Sequence, residues 1–91
     1  MSTNRLERIR ELLSEHLSVQ QIEVFDDSHL HAGHAGARDG RGHFRVRIVA
    51  KEFEGLRAIQ RHQLVYRSLG DMMQTDIHAL SIAAFTPAEA G

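Results

Sequence analysis

Histidine is the residue type in this chain that is best suited to chemistry. The sequence contains seven histidines and no cysteine. Three of the histidines lie in one short segment, Ser28 to His34, which also contains a glycine. A neutral imidazole binds zinc, copper, iron and nickel, so a segment rich in imidazole is suited to form half of a metal site. The candidate ligands are His31, His34, His43 and His78.

The chain has no sulfur ligand for such a site. Iron–sulfur clusters and closed structural zinc sites usually draw on thiolates, and the sequence contains no cysteine. A cluster bound here would therefore take its thiolates from another molecule. A metal cluster at this site would therefore require a binding partner.

Each histidine also has a simpler interpretation. A single loop histidine is more often a solvated polar residue than a ligand, and His78 is compatible with a hydrogen-bonded residue at the edge of the core. His62 falls on the buried face of a predicted helix, which favours a structural role. His16 ends another helix, where its side chain suits the exposed carbonyls. The clustering of His31 and His34 around two small residues is what favours a site.

Composition and charge exclude several classes of function. The chain has 91 residues, with 12 acidic and 11 basic side chains and a formal net charge of −1. One domain over residues 1–91 is expected at this length. Proteins that bind the phosphate backbone usually have a strong basic excess, so nucleic-acid binding would need a local patch. The sequence has no GxSxG motif, HExxH motif or cysteine nucleophile, and we predict no enzymatic activity.

No targeting segment or membrane span is predicted. Residues 1–5 lead directly into an amphipathic helix pattern, and no apolar run approaches the length that crosses a bilayer. The absence of cysteine is typical of a reducing compartment. The expectation is a cytoplasmic protein.

Six predicted elements would position the histidines. They are a helix over about residues 4–16, a strand from Ile22 to Phe25, a strand from His43 to Ala50, a helix from about Leu56 to Leu69 that Gly70 ends, a short helical turn with Met72 and Met73, and a strand from Ile77 to Phe85. We also expect a polar break over residues 18–21, a long loop rich in histidine and glycine over 28–42, and a frayed tail over 86–91.

The order αββααβ predicts an α+β fold in which the helices pack on one face of a three-stranded sheet. Alternation in the second strand places Phe44 and Val46 on one face and His43 on the other. In the last strand, His78 is predicted on the same side as Leu80, Ile82 and Ala84.

A helical wheel of the long helix places Leu64 in the middle of a polar face. Arg57, Arg61 and Arg67 surround it. Such a patch would suit an acidic partner surface or the phosphates of a nucleic acid, and the alternative is a solvated face with no binding role.

Six motifs, in this order along the chain, give the sequence a resemblance to a known protein family. They are DSHLHAGH at 27–34, HFRV at 43–46, FEG at 53–55, RHQLVY at 61–66, IHAL at 77–80 and TPAE at 86–89. Over nearly its whole length, the chain resembles the BolA protein family. The resemblance implies a fold of order αββααβ that is similar to a type II KH domain.

The resemblance also implies a partner and a shared cofactor. BolA proteins form heterodimers with monothiol glutaredoxins that hold a [2Fe–2S] cluster, with thiolates from the glutaredoxin and from glutathione. The BolA ligands would be His78 and a loop histidine, for which His34 is preferred, then His43, then His31. The isolated chain would hold no cluster and would be a monomer or a weak homodimer.

Two other functions follow from the same resemblance. One is a DNA-binding regulator of stress and cell-morphology genes, in which Arg57, Arg61 and Arg67 on a helix-turn-helix-like face contact phosphates. The other is a glutaredoxin contact without a metal, centred on Leu64. The chain departs from many members in having Gln63 where they have arginine, and it belongs with the members whose loop carries histidine rather than cysteine.

Overall fold

The computed structural model describes residues 5–27 and 42–90. The helices are α1 (Arg5–His16), α2 (Ala58–Leu69), α3 (Met72–Thr75) and α4 (Pro87–Ala90), and the strands are β1 (Val19–Asp26), β2 (Gly42–Ala50) and β3 (Ile77–Phe85). A 3-10 turn over Lys51–Phe53 follows β2. The predicted α+β order is confirmed, with α4 as an addition at its end.

The three strands form one sheet with β2 in the middle. β1 pairs antiparallel with β2, and β2 pairs parallel with β3. A parallel pair needs a long crossover connection, which is supplied here by α2 and α3. Because β2 and β3 run in the same direction, the first residues of both strands lie at the same edge of the sheet.

The core lies between one face of the sheet and the helices. On β2 the side chains of Phe44, Val46, Ile48 and Ala50 are at most 2% exposed, as their alternation predicted. Their buried partners on the helices are Ile9 and Leu13 of α1, Val65 and Leu69 of α2, and Met72 of α3. The opposite face of β2 carries His43, Arg45 and Arg47, so the alternation that builds the core also fixes where the first of the strand histidines points.

The start of β1 differs from the prediction. The strand begins at Val19, so Gln20 and Gln21 lie within it and not in a polar break. Both glutamines are exposed, which an edge strand allows because one of its faces and its outer side meet water. The turn before it is held by Glu52, whose carboxylate accepts a hydrogen bond from the Ser18 backbone N–H at 2.8 Å.

The long helix begins two residues later than predicted, because the chain stays extended through Arg57. Gln60 accepts a hydrogen bond from the Arg57 backbone N–H at 2.9 Å, which satisfies one polar group at this end. At the other end, Gly70 adopts φ of 56° and its N–H donates to the carbonyls of Tyr66 and Arg67. A positive φ favours glycine, which explains why the helix ends there.

One smaller expectation needs correction. The tail was predicted to be frayed over residues 86–91, whereas the structure describes a helical turn, α4, over 87–90. Thr86 caps this turn, because its hydroxyl accepts a hydrogen bond from the Glu89 N–H at 3.2 Å.

Candidate metal-ligating histidine pair

His43 and His78 lie side by side at one edge of the sheet. His43 is the second residue of β2, and His78 is the second residue of β3. Their ring centroids are 5.1 Å apart, and the ring planes are inclined by 52°. The parallel pairing of β2 with β3 brings together two histidines that are 35 positions apart in the sequence, which no local pattern reveals.

A bulge in β3 determines which way His78 points. Gly42 pairs with Ile77 but His43 pairs with Ala79, so β3 has one more residue than β2 at this point. Ile77 is fully buried and Leu80 packs against the core, which leaves His78 exposed on the other side.

The prediction that His78 shares a side with Leu80, Ile82 and Ala84 is therefore wrong. The extra residue reverses the alternation at the start of the strand. The sequence carries a signal for this, because Ile77 and Leu80 are apolar residues an odd number of positions apart, which a regular strand would place on opposite faces.

Backbone hydrogen bonds on both sides hold the start of β2 in place. The Gly42 N–H donates to the Asp76 carbonyl at 2.9 Å, and the Asp27 N–H donates to the His43 carbonyl at 2.8 Å. Asp27 also accepts a hydrogen bond from Arg45 Nε at 3.2 Å. The imidazole of His43 therefore projects from backbone that is tied to both neighbouring strands, and such support is what a ligand needs for a fixed position.

His31 and His34, the other two candidate ligands, lie outside the described residues. The two ends of their segment are described, and both meet at the histidine pair. Asp27 precedes the segment and is hydrogen bonded to His43, and Gly42 follows the segment and pairs with Ile77. The described residues on either side of this segment therefore lie beside the pair.

The described residues do not form a complete metal site by themselves. Within residues 5–27 and 42–90, no group of three or more histidine, cysteine, aspartate or glutamate side chains is arranged to hold a metal ion. Two adjacent imidazoles could replace two of the four thiolates of a [2Fe–2S] cluster, as histidines do on one iron of some such clusters. Two imidazoles would thus supply at most half of the four protein ligands that such a cluster takes.

Arg61 departs most from the predicted arginine patch, because its side chain is hydrogen bonded to other residues of the chain. Its guanidinium donates to the carbonyls of Leu56 and Ala84, each at 3.0 Å. It also donates to the carboxylate of Glu89 at 2.6 Å and 3.2 Å, and its side chain is only 14% exposed. Hydrogen bonds from Arg61 and from the Thr86 N–H lower the pKa of Glu89 from 4.5 to about 2.

The apolar centre of this surface also differs from the prediction. Leu64 is partly buried and packs against the core, so its predicted position in the middle of the polar face is wrong. Ile59 and Tyr66 are the exposed apolar residues of α2, at 67% and 39%. Arg57 and Arg67 are exposed, as predicted. His62 is only half-buried, whereas Ser68 is buried with Val65 and Leu69, so the buried face of α2 is rotated from the position that the helical wheel indicated.

Comparisons with known proteins agree with this architecture. The sequence profile of the BolA-like protein family matches residues 13–89. In solved structures, the chain is similar to the BolA domain of SufE1 from Arabidopsis thaliana, with a TM-score of 0.84, 43% identity and coverage of 98% of this chain and 99% of that one. It is equally similar to BolA1 from Arabidopsis thaliana, with a TM-score of 0.84, 41% identity and full coverage of both chains.

The fold and the candidate site thus define a class of protein, namely a three-stranded α+β domain with a histidine pair at one edge of the sheet. The chain belongs to the BolA-like protein family.

Two curated relatives show the wider proteins in which this domain occurs. Protein BOLA1, chloroplastic, of Arabidopsis thaliana is 45% identical over 89 residues, which are 94% of this chain and 56% of that protein. SufE-like protein 1, chloroplastic/mitochondrial, of Arabidopsis thaliana is 47% identical over 87 residues, which are 90% of this chain and 24% of that protein. The chain therefore spans about half of the first relative and about a quarter of the second.

The structure bears on the predicted location in one respect only. No helix in the described part of the chain is long and apolar enough to cross a membrane. The two Arabidopsis relatives carry chloroplastic and chloroplastic/mitochondrial names, so the cytoplasmic location stays a prediction.

Proposed function

We propose that this protein is a non-enzymatic partner of a monothiol glutaredoxin and supplies histidine ligands to a [2Fe–2S] cluster that the two proteins share with glutathione. Its role would be iron–sulfur trafficking or the sensing of iron and stress. The observation that carries the proposal is the pair of imidazoles from His43 and His78, whose centroids are 5.1 Å apart.

Three further observations support the proposal. The chain contains no cysteine, so a cluster needs thiolates from a partner. His78 is exposed on the helix-free side of the sheet, where a partner could reach it. One relative of the chain is a SufE-like protein that carries a BolA domain, which favours an iron–sulfur context for the domain.

The residues that would hold the cluster are His78 and one further histidine. His43 is the described candidate, because its backbone is fixed and its ring already lies beside His78. His34 and His31 are the candidates from the segment between β1 and β2. A cluster held by neutral imidazoles in place of thiolates carries less negative charge, which raises its reduction potential, so the cluster is more easily reduced.

The experiment is to reconstitute the cluster on the complex with a monothiol glutaredoxin and glutathione, and to record its visible absorption and circular dichroism. We expect His78→Ala to abolish or strongly alter the spectrum of the mixed complex. Alanine variants of His43, His34 and His31 then identify the second ligand, since one of them should reproduce the effect of His78→Ala.

The matched controls are His16→Ala and His62→Ala, which remove an imidazole far from the pair in sequence. Both should leave the spectrum unchanged. An unchanged spectrum in the His78→Ala complex would contradict the proposal, as would equal effects from all histidine variants, because a general loss of binding would then explain the data.

A further inference from the structure

The helix layer, on the other side of the molecule from the histidine pair, also carries exposed apolar side chains. Three large hydrophobic residues are exposed in the described part of the chain, namely Phe25, Ile59 and Tyr66. The ring of Phe25 is covered by the guanidinium of Arg45, at 4.4 Å from the ring centroid. The other two lie on α2, and Ile59 is 67% exposed.

The spacing of these residues makes a continuous feature. Ile59, Gln63 and Tyr66 are separated by four and three positions, so they lie on one face of α2. After the turn at Gly70, Met73 of α3 continues the same face, and an open cleft of about 640 Å³ is lined by Gln63, Tyr66 and Met73 together with Arg67. We name the four residues Ile59, Gln63, Tyr66 and Met73 the α2–α3 stripe.

Positive charge flanks the α2–α3 stripe at both ends of α2. Arg57 and Arg67 are exposed, and neither lies within ion-pair distance of a carboxylate in the described part of the chain. Arg61, between them, is neutralised by Glu89. Asp71 also lines the cleft and lowers the net charge of the surface, but it leaves an excess of one positive charge beside the stripe.

We propose that the α2–α3 stripe binds an amphipathic helical segment of a protein partner, with apolar side chains against Ile59 and Tyr66 and carboxylates against Arg57 and Arg67. An apolar helical stripe with a cleft at one end is suited to the helix-in-groove mode of recognition. The two unneutralised arginines select the sign of the flanking charges.

Charge also decides between this occupant and two others. In a symmetric pair of two copies, the same arginines would face each other across the interface, which is unfavourable. A nucleic acid would gain little from the exposed side chains of Ile59 and Tyr66, because its charged backbone offers them no apolar counterpart. An acidic amphipathic helix satisfies both the apolar side chains and the arginines.

The test uses two synthetic labelled peptides of about four helical turns. Both carry leucines on one helical face, and they differ only in their flanking residues, which are glutamates in one and lysines in the other. Binding to the full chain is measured by fluorescence anisotropy. We expect the glutamate peptide to bind at least about tenfold more tightly than the lysine peptide, with a difference that shrinks as salt is added.

Variants of the protein locate the binding surface. We expect Ile59→Asp to weaken binding of the glutamate peptide by at least about tenfold, and Arg67→Glu to reduce or reverse the preference for the glutamate peptide. The matched control is Arg10→Glu, which makes the same change of charge at an exposed position on α1 and should leave binding unchanged. Because Ile59 and Arg67 are exposed, circular dichroism should show native folding for all three variants.

Several results would overturn the inference. These are no binding of either peptide, equal binding of both, or equal effects of Arg67→Glu and Arg10→Glu. Tighter binding of a DNA duplex than of the glutamate peptide, with the same dependence on Arg67, would assign the surface to nucleic acid instead. Self-association that Ile59→Asp abolishes would assign it to a second copy. The inference is independent of the cluster, since His78→Ala should leave peptide binding unchanged.

Discussion

Two corners of the molecule carry clusters of polar side chains, and they differ in the residue types that the fold brings together. At the Arg61 corner, the guanidinium donates to the carboxylate of Glu89 and to two carbonyls, and the hydroxyl of Thr86 accepts a hydrogen bond from the Glu89 N–H. At the histidine corner, the described residues bring together two imidazoles, and no third metal-ligating side chain joins them. The first cluster ties α2 to the end of β3 and to α4 and so stabilises the fold, whereas the second holds two side chains of a metal-binding type next to each other.

The largest expected effect tests whether the histidine corner is separate from the core beneath it. Phe44 and His43 are neighbours on β2, but Phe44 is 2% exposed on the helix-covered face. We expect Phe44→Ala to lower the free energy of unfolding by about 3–4 kcal/mol, because it leaves a cavity in the core. Urea unfolding followed by circular dichroism measures this. His43→Ala is the control and should cost less than about 1.5 kcal/mol, and a cost equal to that of Phe44→Ala would make His43 a core residue.

The next effect tests the Arg61 corner. We expect Arg61→Ala to lower the free energy of unfolding by about 2 kcal/mol, because it removes several hydrogen bonds from a charged donor, two of them to carbonyls. Arg57→Ala, which changes an exposed arginine just before the same helix, should cost less than about 0.5 kcal/mol. Similar values for the two variants in urea unfolding would remove the structural role assigned to Arg61.

A smaller effect concerns the turn that separates the two helices before β3. Gly70 has φ of 56°, and no heavy atom lies within 4 Å of the position that a Cβ would take. The cost of Gly70→Ala is therefore backbone strain and not a clash, and we expect about 1 kcal/mol. Thermal unfolding measures it. A stabilising effect would mean that the turn does not need its positive φ.

The smallest effect is a change in acid sensitivity. The pKa of Glu89 is lowered from 4.5 to about 2 in the folded state, chiefly by the hydrogen bonds from Arg61. Its stabilising contribution is complete above about pH 4.5 and is lost as the pH falls toward 2, because the unfolded chain binds the proton more readily. We expect Glu89→Gln to remove this part of the acid dependence. Unfolding curves recorded between about pH 2 and pH 6 should converge at the acid end, and parallel curves would contradict the assignment.

Much of the fold was predictable because its signals are local. The alternation of Phe44, Val46, Ile48 and Ala50 identified β2 and its buried face, and the bounds of β3 were predicted from residues 77–85 alone. The start of β1 is not evident from the sequence because Gln20 and Gln21 near its beginning are polar, and their place in a strand depends on pairing with β2.

The candidate site was only partly predictable, because its geometry depends on pairing between distant strands. The sequence indicated His43 and His78 as candidates, but the parallel register that brings them together and the bulge that turns His78 outward are properties of the β2–β3 pair. Arg61 shows the same limit. Its partner Glu89 lies 28 positions away, in a turn that the sequence predicts to be frayed. The sequence alone therefore assigns the side chain of Arg61 to a binding surface and not to the fold.

The hydrogen bond from the Asp27 N–H to the His43 carbonyl has a consequence for variation within this family. It joins the residues on either side of the connection between β1 and β2, so the pairing of these two strands does not depend on the connection itself. Insertions or deletions between Asp27 and His43 should change the free energy of unfolding little, since the entropy lost on closing a loop grows slowly with its length. Variants with a longer or shorter connection should therefore keep the imidazoles of His43 and His78 in their places.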